Sequence, residues 1–231
     1  MQRSPELGHL ILVRHGESEL NAANKGTDNR FCGQLDCPLT ELGRAQASNV
    51  GKSISRSSIS VDWAVSSSLS RATETLTLLA RELSCSPRIL PPQAGFNERS
   101  LGIFEGRSES EVFLEHPKYL SHPEFKSFRK HFEQRAPGGE NLSEVTERVW
   151  STWESLRQRV SGNGLIVAHG VSLQAFLGRA LELSNAETLS IRVSNATPII
   201  LRYWFCDQAS ASQPKYELID SEQPSLDSAE H

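Results

Sequence analysis

The sequence predicts an α/β protein, a three-layer α/β/α sandwich around a mostly parallel central sheet, and three observations carry that prediction. Two apolar runs, HLILVRHG at 9–16 and LIVAHG at 165–170, end in His and Gly, as buried parallel strands do where they meet a functional edge. Short apolar strands alternate with stretches of helical period. That alternation covers both faces of a sheet with helices.

Taken in order, the run at 9–16 gives the first strand. Asn21 to Pro38, mixed in Asn, Gly, Asp and Pro, reads as a long binding loop. Thr40 is an N-cap for the helix ELGRAQASNVGKSISR. DWAVSSS, 62–68, is a short strand and SRATETLTLLAREL, 70–83, an amphipathic helix. Arg88 to Leu90 forms a further short strand, and Phe96 to Gly106 is loop. Residues 108–135 are expected as helical excursions broken at Pro117 and Pro123. Ser143 opens a long helix through Val160, closed by Gly162. After the strand at 165–169, VSLQAFLGRALEL is helical, TPIILRYWF at 197–205 is a strand, and Tyr216 to Ile219 is a candidate last strand. Residues 8–220 are expected as one domain and 221–231 as a disordered tail.

Composition narrows the function classes. The 231 residues suffice for a substantial core, with 37% hydrophobic and 23% charged residues. A formal net charge of -4 argues against a general nucleic-acid binder, so any anion site must be a local positive cluster. The polar MQRSPELG is no signal peptide, and no run approaches the roughly 20 apolar residues of a membrane span. Cys32, Cys37, Cys85 and Cys206 lack the close pairing of a zinc site and read as half-buried thiols of a reducing compartment. A cytoplasmic protein is expected.

Ligands of open α/β sheets bind beyond the carboxyl ends of the strands. Two strands end in Arg14-His15-Gly16 and His169-Gly170, so both histidines should reach one edge. A single strand-end histidine is more often structural; two at matching ends, one preceded by Arg, point to chemistry. RHGES at 14–18, SSLSRATET at 67–75, NERSLGIFEG at 97–106, PGGEN at 137–141 and AHG at 168–170 together resemble the histidine phosphatase superfamily, the phosphoglycerate-mutase-like proteins, over roughly residues 9–205.

A phosphate monoester is a dianion, so its attacker must be uncharged and its oxygens neutralised. Histidine can supply a neutral nitrogen near neutral pH. Nearby Arg14 and Arg71 would keep its pKa low while clamping phosphate oxygens with forked donors. The resemblance implies that His15 becomes a transient phosphohistidine, with Arg14, Arg71 and His169 as phosphate pocket. Glu98 would protonate the leaving alkoxide and then activate water. That first step requires a protonated Glu98, a state favoured by a neighbouring dianion. Gly16 would let the backbone approach the phosphate, and Asn21 matches a position that contacts it. Gly170, Arg99 and Arg129 complete the expected substrate-binding set. Each has a structural alternative: Arg14 and Arg71 as ion-pair partners, Glu98 paired with Arg99 on the surface, Asn21 as a turn residue. His9, His116, His122, His131 and His231 match no family position and are expected to be structural or solvent-facing. Adjacent arginines would repel a cation, so a metal-independent reaction without cofactor is expected.

Departures from the pattern bear on substrate. Mutase relatives follow the catalytic Glu with Arg-His-Tyr-Gly, whereas this chain reads Glu98-Arg99-Ser100-Leu101-Gly102 and lacks the tyrosine. A mutase must hold its phosphoryl group away from water, so a loosened grip favours hydrolysis. Lys118, Lys126, Arg129, Lys130 and Arg135 form a basic excess in 117–135, either a helical insertion over the active site or a solvated face. SFRKHF, 127–132, resembles the paired arginine of the mutases, and RHGESELN the fructose-2,6-bisphosphatase version of the first motif. The expectation is a phosphomonoesterase acting on a small phosphorylated metabolite, a sugar or acid phosphate. The alternatives are a phosphoglycerate-type mutase and an inactive scaffold. Oligomeric state is not legible.

Overall fold

The computed structural model describes residues 8–26, 29–117, 131–204 and 214–221. Strands β1 (Gly8–Arg14), β2 (Trp63–Ser66), β3 (Arg88–Ile89), β4 (Gly164–Ala168), β5 (Pro198–Trp204) and β6 (Lys215–Ser221) form one sheet in the order β3-β2-β4-β1-β5-β6. The pairings from β3 to β1 are parallel, and β5 runs antiparallel to both β1 and β6.

The four central strands alternate their side chains between two cores. Leu10, Leu12, Val65 and Ile166 point to one side, where they meet helices α5 (Leu142–Arg157) and α6 (Gly170–Ala180). Ile11, Val13, Ala64 and Val167 point to the other, against α2 (Glu41–Arg56) and α3 (Ser70–Arg81). Both faces being covered, the strands read as continuous apolar runs, which is how the sequence disclosed them.

Register is the feature that positions the site. Arg14 lies level with Ala168, and Ser66 with Val167. The residues that leave the sheet next on these strands (His15, Ser67 and His169) therefore emerge at one edge.

Several elements differ from expectation. The long loop is entered through a short helix α1 (Glu19–Ala23), closed by a capping box between Ser18 and Asn21. Helix α5 starts at Leu142, because Asn141 rather than Ser143 caps it in a reciprocal pair with Glu144, and it ends at Arg157. The expected excursions give α4 (Glu109–Glu115); residues 118–130 lie outside the described part, and 131–136 are not helical. The helix predicted through Leu183 ends at Ala180, and an unforeseen helix, α7 (Asn185–Ser190), follows it, capped by Ser184 and Glu187. Strand β6 is longer than Tyr216 to Ile219, and residues 222–231 of the expected tail lie outside the described residues.

Candidate active site

His15 follows β1 and is 3% exposed, with its backbone N–H bonded to Ala168 O at 3.0 Å. Its Nδ1 lies 2.7 Å from Gly16 O. A carbonyl only accepts, so Nδ1 carries the hydrogen and Nε2 keeps its lone pair. Burial, and then the charges of Arg14 and Arg71, push the imidazole pKa well below its ordinary value. The result is a neutral ring with a fixed tautomer.

His169, at the end of β4, is fully buried with its ring centroid 5.0 Å from that of His15. Burial again lowers its pKa strongly, helped by His15, Arg71 and Arg14. Its Nε2 is 2.6 Å from Ser67 Oγ, while the buried Nδ1 has no hydrogen-bond partner. A Ser67 hydroxyl donating to Nε2 leaves Nδ1 as a free N–H donor.

The two guanidiniums are held by carbonyls and not by carboxylates. Arg14 Nη1 donates to Val193 O at 2.8 Å. Arg71, 1% exposed on the first turn of α3, donates from Nη1 to Leu35 O (2.8 Å) and from Nη2 to Gly33 O (3.0 Å). The Nε of each arginine is buried and unpartnered. Burial and the neighbouring Arg71 lower the pKa of Arg14, and Glu98 opposes them. The ion-pair alternative for these arginines thus fails among the described residues.

Glu98 is not paired on the surface with Arg99. Its Oε1 accepts from the backbone N–H of Arg99 (2.8 Å) and Val171 (3.2 Å), and Oε2 from Val171 at 3.3 Å, so Oε2 is the less engaged oxygen. The loop beneath it is braced by PGGEN. Ser100 N donates to Glu140 Oε2 at 2.9 Å, and the Glu140 carboxylate forms a forked pair with Arg148 Nε and Nη2, both 2.7 Å. Arg148 Nη1 also donates to Gly95 O and Asn97 O.

Arg14, His15, Asn21, Asn24, Arg30, Cys32, Arg71, Glu98, Arg99 and Leu101 border one cavity of about 220 Å³. Asn21 Oδ1 accepts from Ser18 N and from Asn195 Nδ2. Gly170 begins α6 beside the Arg14 guanidinium, with space for a Cβ at 3.6 Å. Gly16 has a further reason besides the one expected: a Cβ there would lie 2.2 Å from Gly43 O, so the glycine is needed for the close approach of α2. Arg129, with Lys118, Lys126 and Lys130, lies outside the described residues; Arg135 pairs with Glu144 at 2.5 Å. His9 bonds Asn163, His116 packs on Phe104, and His131 Nδ1 accepts from Glu133 N. These three are structural, and His122 and His231 are not described.

Sequence reasoning missed Ser67, Asn195, Gln34 and Arg148. Asn195 donates to His15 O at 2.8 Å and Gln34 Nε2 to Glu98 O at 2.9 Å. Ser67 sat inside a quoted motif, but its job depends on a histidine 102 residues away. Among the described residues, no three His, Cys, Asp or Glu side chains gather to hold a metal ion, and no helix is long and apolar enough to cross a membrane.

A six-stranded α/β sheet with two neutral histidines and two buried arginines at one edge defines a class of site built for an anion. The chain belongs to the histidine phosphatase superfamily (branch 1), whose family model matches residues 10–211. It is 30% identical to the 2,3-bisphosphoglycerate-dependent phosphoglycerate mutase of Hamiltonella defensa subsp. Acyrthosiphon pisum, covering 84% of this chain and 86% of that one. The enzyme of the same name from Chelativorans sp. is 32% identical, covering 84% and 92%. Among solved structures, a mycobacterial glucosyl-3-phosphoglycerate phosphatase superposes with a TM-score of 0.74 at 22% identity, covering 92% of this chain and 97% of that one. The alpha-ribazole phosphatase from Shigella flexneri gives 0.67 at 24%, covering 84% and 89%. At those identities the structures share the fold alone.

Proposed function

We propose that this protein is a metal-independent phosphomonoesterase that hydrolyses a small phosphorylated metabolite through a phosphohistidine on His15. One observation carries the reading. Three buried, unpartnered nitrogens (Arg14 Nε, Arg71 Nε and His169 Nδ1) belong to residues beside the neutral His15: the two arginines border its cavity, and the His169 ring lies 5.0 Å from its own. Unsatisfied buried donors are costly, and a phosphoryl group would satisfy all three.

In the first half-reaction His15 Nε2 attacks phosphorus as the bond to the leaving oxygen breaks, and Glu98 Oε2 gives that oxygen its proton. In the second, Glu98 takes a proton from water, whose oxygen displaces the imidazole and releases inorganic phosphate. Arg14 and Arg71 stabilise the equatorial oxygens throughout. Asn24, Arg30 and Arg99, which also line the cavity, suit a second anionic group, such as the carboxylate or second phosphate of an acid or sugar phosphate. Leu101, where the mutases carry tyrosine, supports water over a second substrate hydroxyl as acceptor of the phosphoryl group.

The identity to bisphosphoglycerate-dependent mutases favours a second reading, phosphoryl transfer between the hydroxyls of a phosphoglycerate. The deciding experiment follows phosphate release from sugar and acid phosphates with EDTA present, alongside 3-phosphoglycerate isomerisation primed by 2,3-bisphosphoglycerate. Release outrunning isomerisation is expected; the reverse establishes the mutase. Glu98→Gln should slow alkyl phosphates far more than p-nitrophenyl phosphate, whose leaving group needs little protonation. Equal slowing would remove Glu98 as the acid.

A further inference from the structure

The turn between Phe31 and Pro38 carries two cysteines that the proposed hydrolysis does not use. Cys32 borders the cavity, and the Cys37 sulfur lies 4.0 Å from Arg71 Nη1. Cys32 Sγ lies 4.0 Å from Leu35 O, the carbonyl that accepts from the same Arg71 Nη1 at 2.8 Å, so the two thiols flank one hydrogen bond. The neighbouring Cys32, then Ser18, Arg71 and the backbone N–H of Leu20, favour a thiolate on Cys37, whose pKa falls to about 6, while Cys37 and burial push Cys32 upward. A low-pKa thiol beside a protonated one on the same turn is the pairing in which the first reacts and the second resolves.

What the turn holds gives this chemistry a consequence. Gly33 O and Leu35 O fix the Arg71 guanidinium, and Gln34 Nε2 holds the backbone of Glu98. Asp36 Oδ1 accepts from Ser70 N and Oγ at the start of α3, the helix that carries Arg71. Gly33 has φ +51°, and a Cβ on it would strike the Glu105 carboxylate, so the turn has little freedom to adjust.

We infer that Cys32 and Cys37 form a redox-sensitive dithiol whose oxidation by a hydroperoxide disables the Arg71 phosphate clamp. The Cys37 thiolate attacks the peroxide O–O bond, giving a sulfenic acid and, after protonation, water or an alcohol. The Cys32 sulfur then displaces the sulfenic hydroxyl, which leaves as water with the Cys32 proton. The S–S bond closes at about 2.05 Å, which draws the sulfurs together and displaces the carbonyls between them. A cytosolic disulfide of this kind is transient and regulatory, reversed by thiols.

The effect on turnover rests on the proposed phosphatase activity, so the test also reads chemistry and phosphate binding directly. The full chain is treated with hydrogen peroxide, alkylated, and digested with trypsin. Cys32 and Cys37 fall in one peptide, residues 31–44, bounded by Arg30 and Arg44. We expect that peptide to lose two hydrogens and resist alkylation until dithiothreitol is added. Affinity for inorganic phosphate and hydrolysis of p-nitrophenyl phosphate should each fall at least fivefold and recover with the thiol. Cys32→Ser and Cys37→Ser should each keep their own untreated activity within twofold after peroxide, whereas Cys85→Ser should respond as the parent does. A peptide that still takes two alkyl groups after peroxide overturns the inference. So does a disulfide that leaves phosphate affinity unchanged. Turnover absent from the reduced parent, with oxidation still weakening phosphate binding, would count against the phosphatase reading and not against the switch.

Discussion

In the proposed reaction a histidine attacks a dianion and must be uncharged when the dianion arrives, and the residues around His15 suit that requirement. Burial disfavours the imidazolium, two guanidiniums repel it, and the Gly16 carbonyl selects the tautomer. His15→Ala should therefore abolish turnover and phosphoenzyme together, as read by stopped assays and acid-labile label; residual full activity would end the mechanism. Arg71→Ala removes a preorganised donor and should cost about 10²–10³ in rate, with weaker phosphate binding. Ser67→Ala is the informative variant. It leaves the clamp untouched but frees His169 Nε2. The tautomer that presents Nδ1–H is then no longer imposed, and kcat/KM should drop about tenfold with little change in fold.

Elements act here as rigid spacers, and two contacts show how tightly they are set. The backbone of Gly16 lies on the backbone of Gly43 in α2, and Gly43 in turn on Glu17, where an added Cβ would come within 2.0 Å of a carbonyl oxygen. Backbone cannot move aside as a flexible side chain can. Gly43→Ala should destabilise the protein by about 1–3 kcal/mol or more, read as a lowered urea midpoint, and should shift the His15 loop so that activity falls with it. On the other side, Arg148 of α5 ties the PGGEN turn to the carbonyls of the Glu98 loop. Arg148→Ala should lower kcat more than it raises KM, because it loosens the proton donor while leaving the phosphate donors in place.

At the scale of the molecule, both buried histidines have folded pKa values below the unfolded value of about 6.5. The unfolded chain thus binds protons that the folded chain refuses. Stability is full above that pH and falls as pH drops below it, by up to about 1.4 kcal/mol per pH unit for each histidine. Urea midpoints in phosphate-free buffer should fall between pH 7.5 and 5.5, and less steeply in His15→Asn. A flat profile would contradict the burial of neutral histidine. The far edge of the sheet depends on a different long-range contact. Trp153 Nε1 of α5 donates to Tyr216 Oη at 2.6 Å, which holds β6 against the core, while backbone pairing with β5 carries the strand from Lys215 to Ser221, beyond what its alternation alone announced.

Local signals determined much of this protein. The apolar runs marked the strands, the Thr40 cap marked the start of α2, and ordered motifs gave the family and the residues that meet at the site: Arg14, His15, Arg71, Glu98 and His169. These were legible because strand ends and helix caps are written within a few residues of where they act. Other features were decided only in three dimensions. Ser67 became the partner of His169, carbonyls rather than carboxylates came to hold the arginines, and Gly16 proved to serve a helix contact. Two cysteines that looked scattered came together under Arg71. Each of these depends on strand register and on which backbone lies against which, terms set by packing between residues far apart in the chain, to which local composition and spacing do not respond.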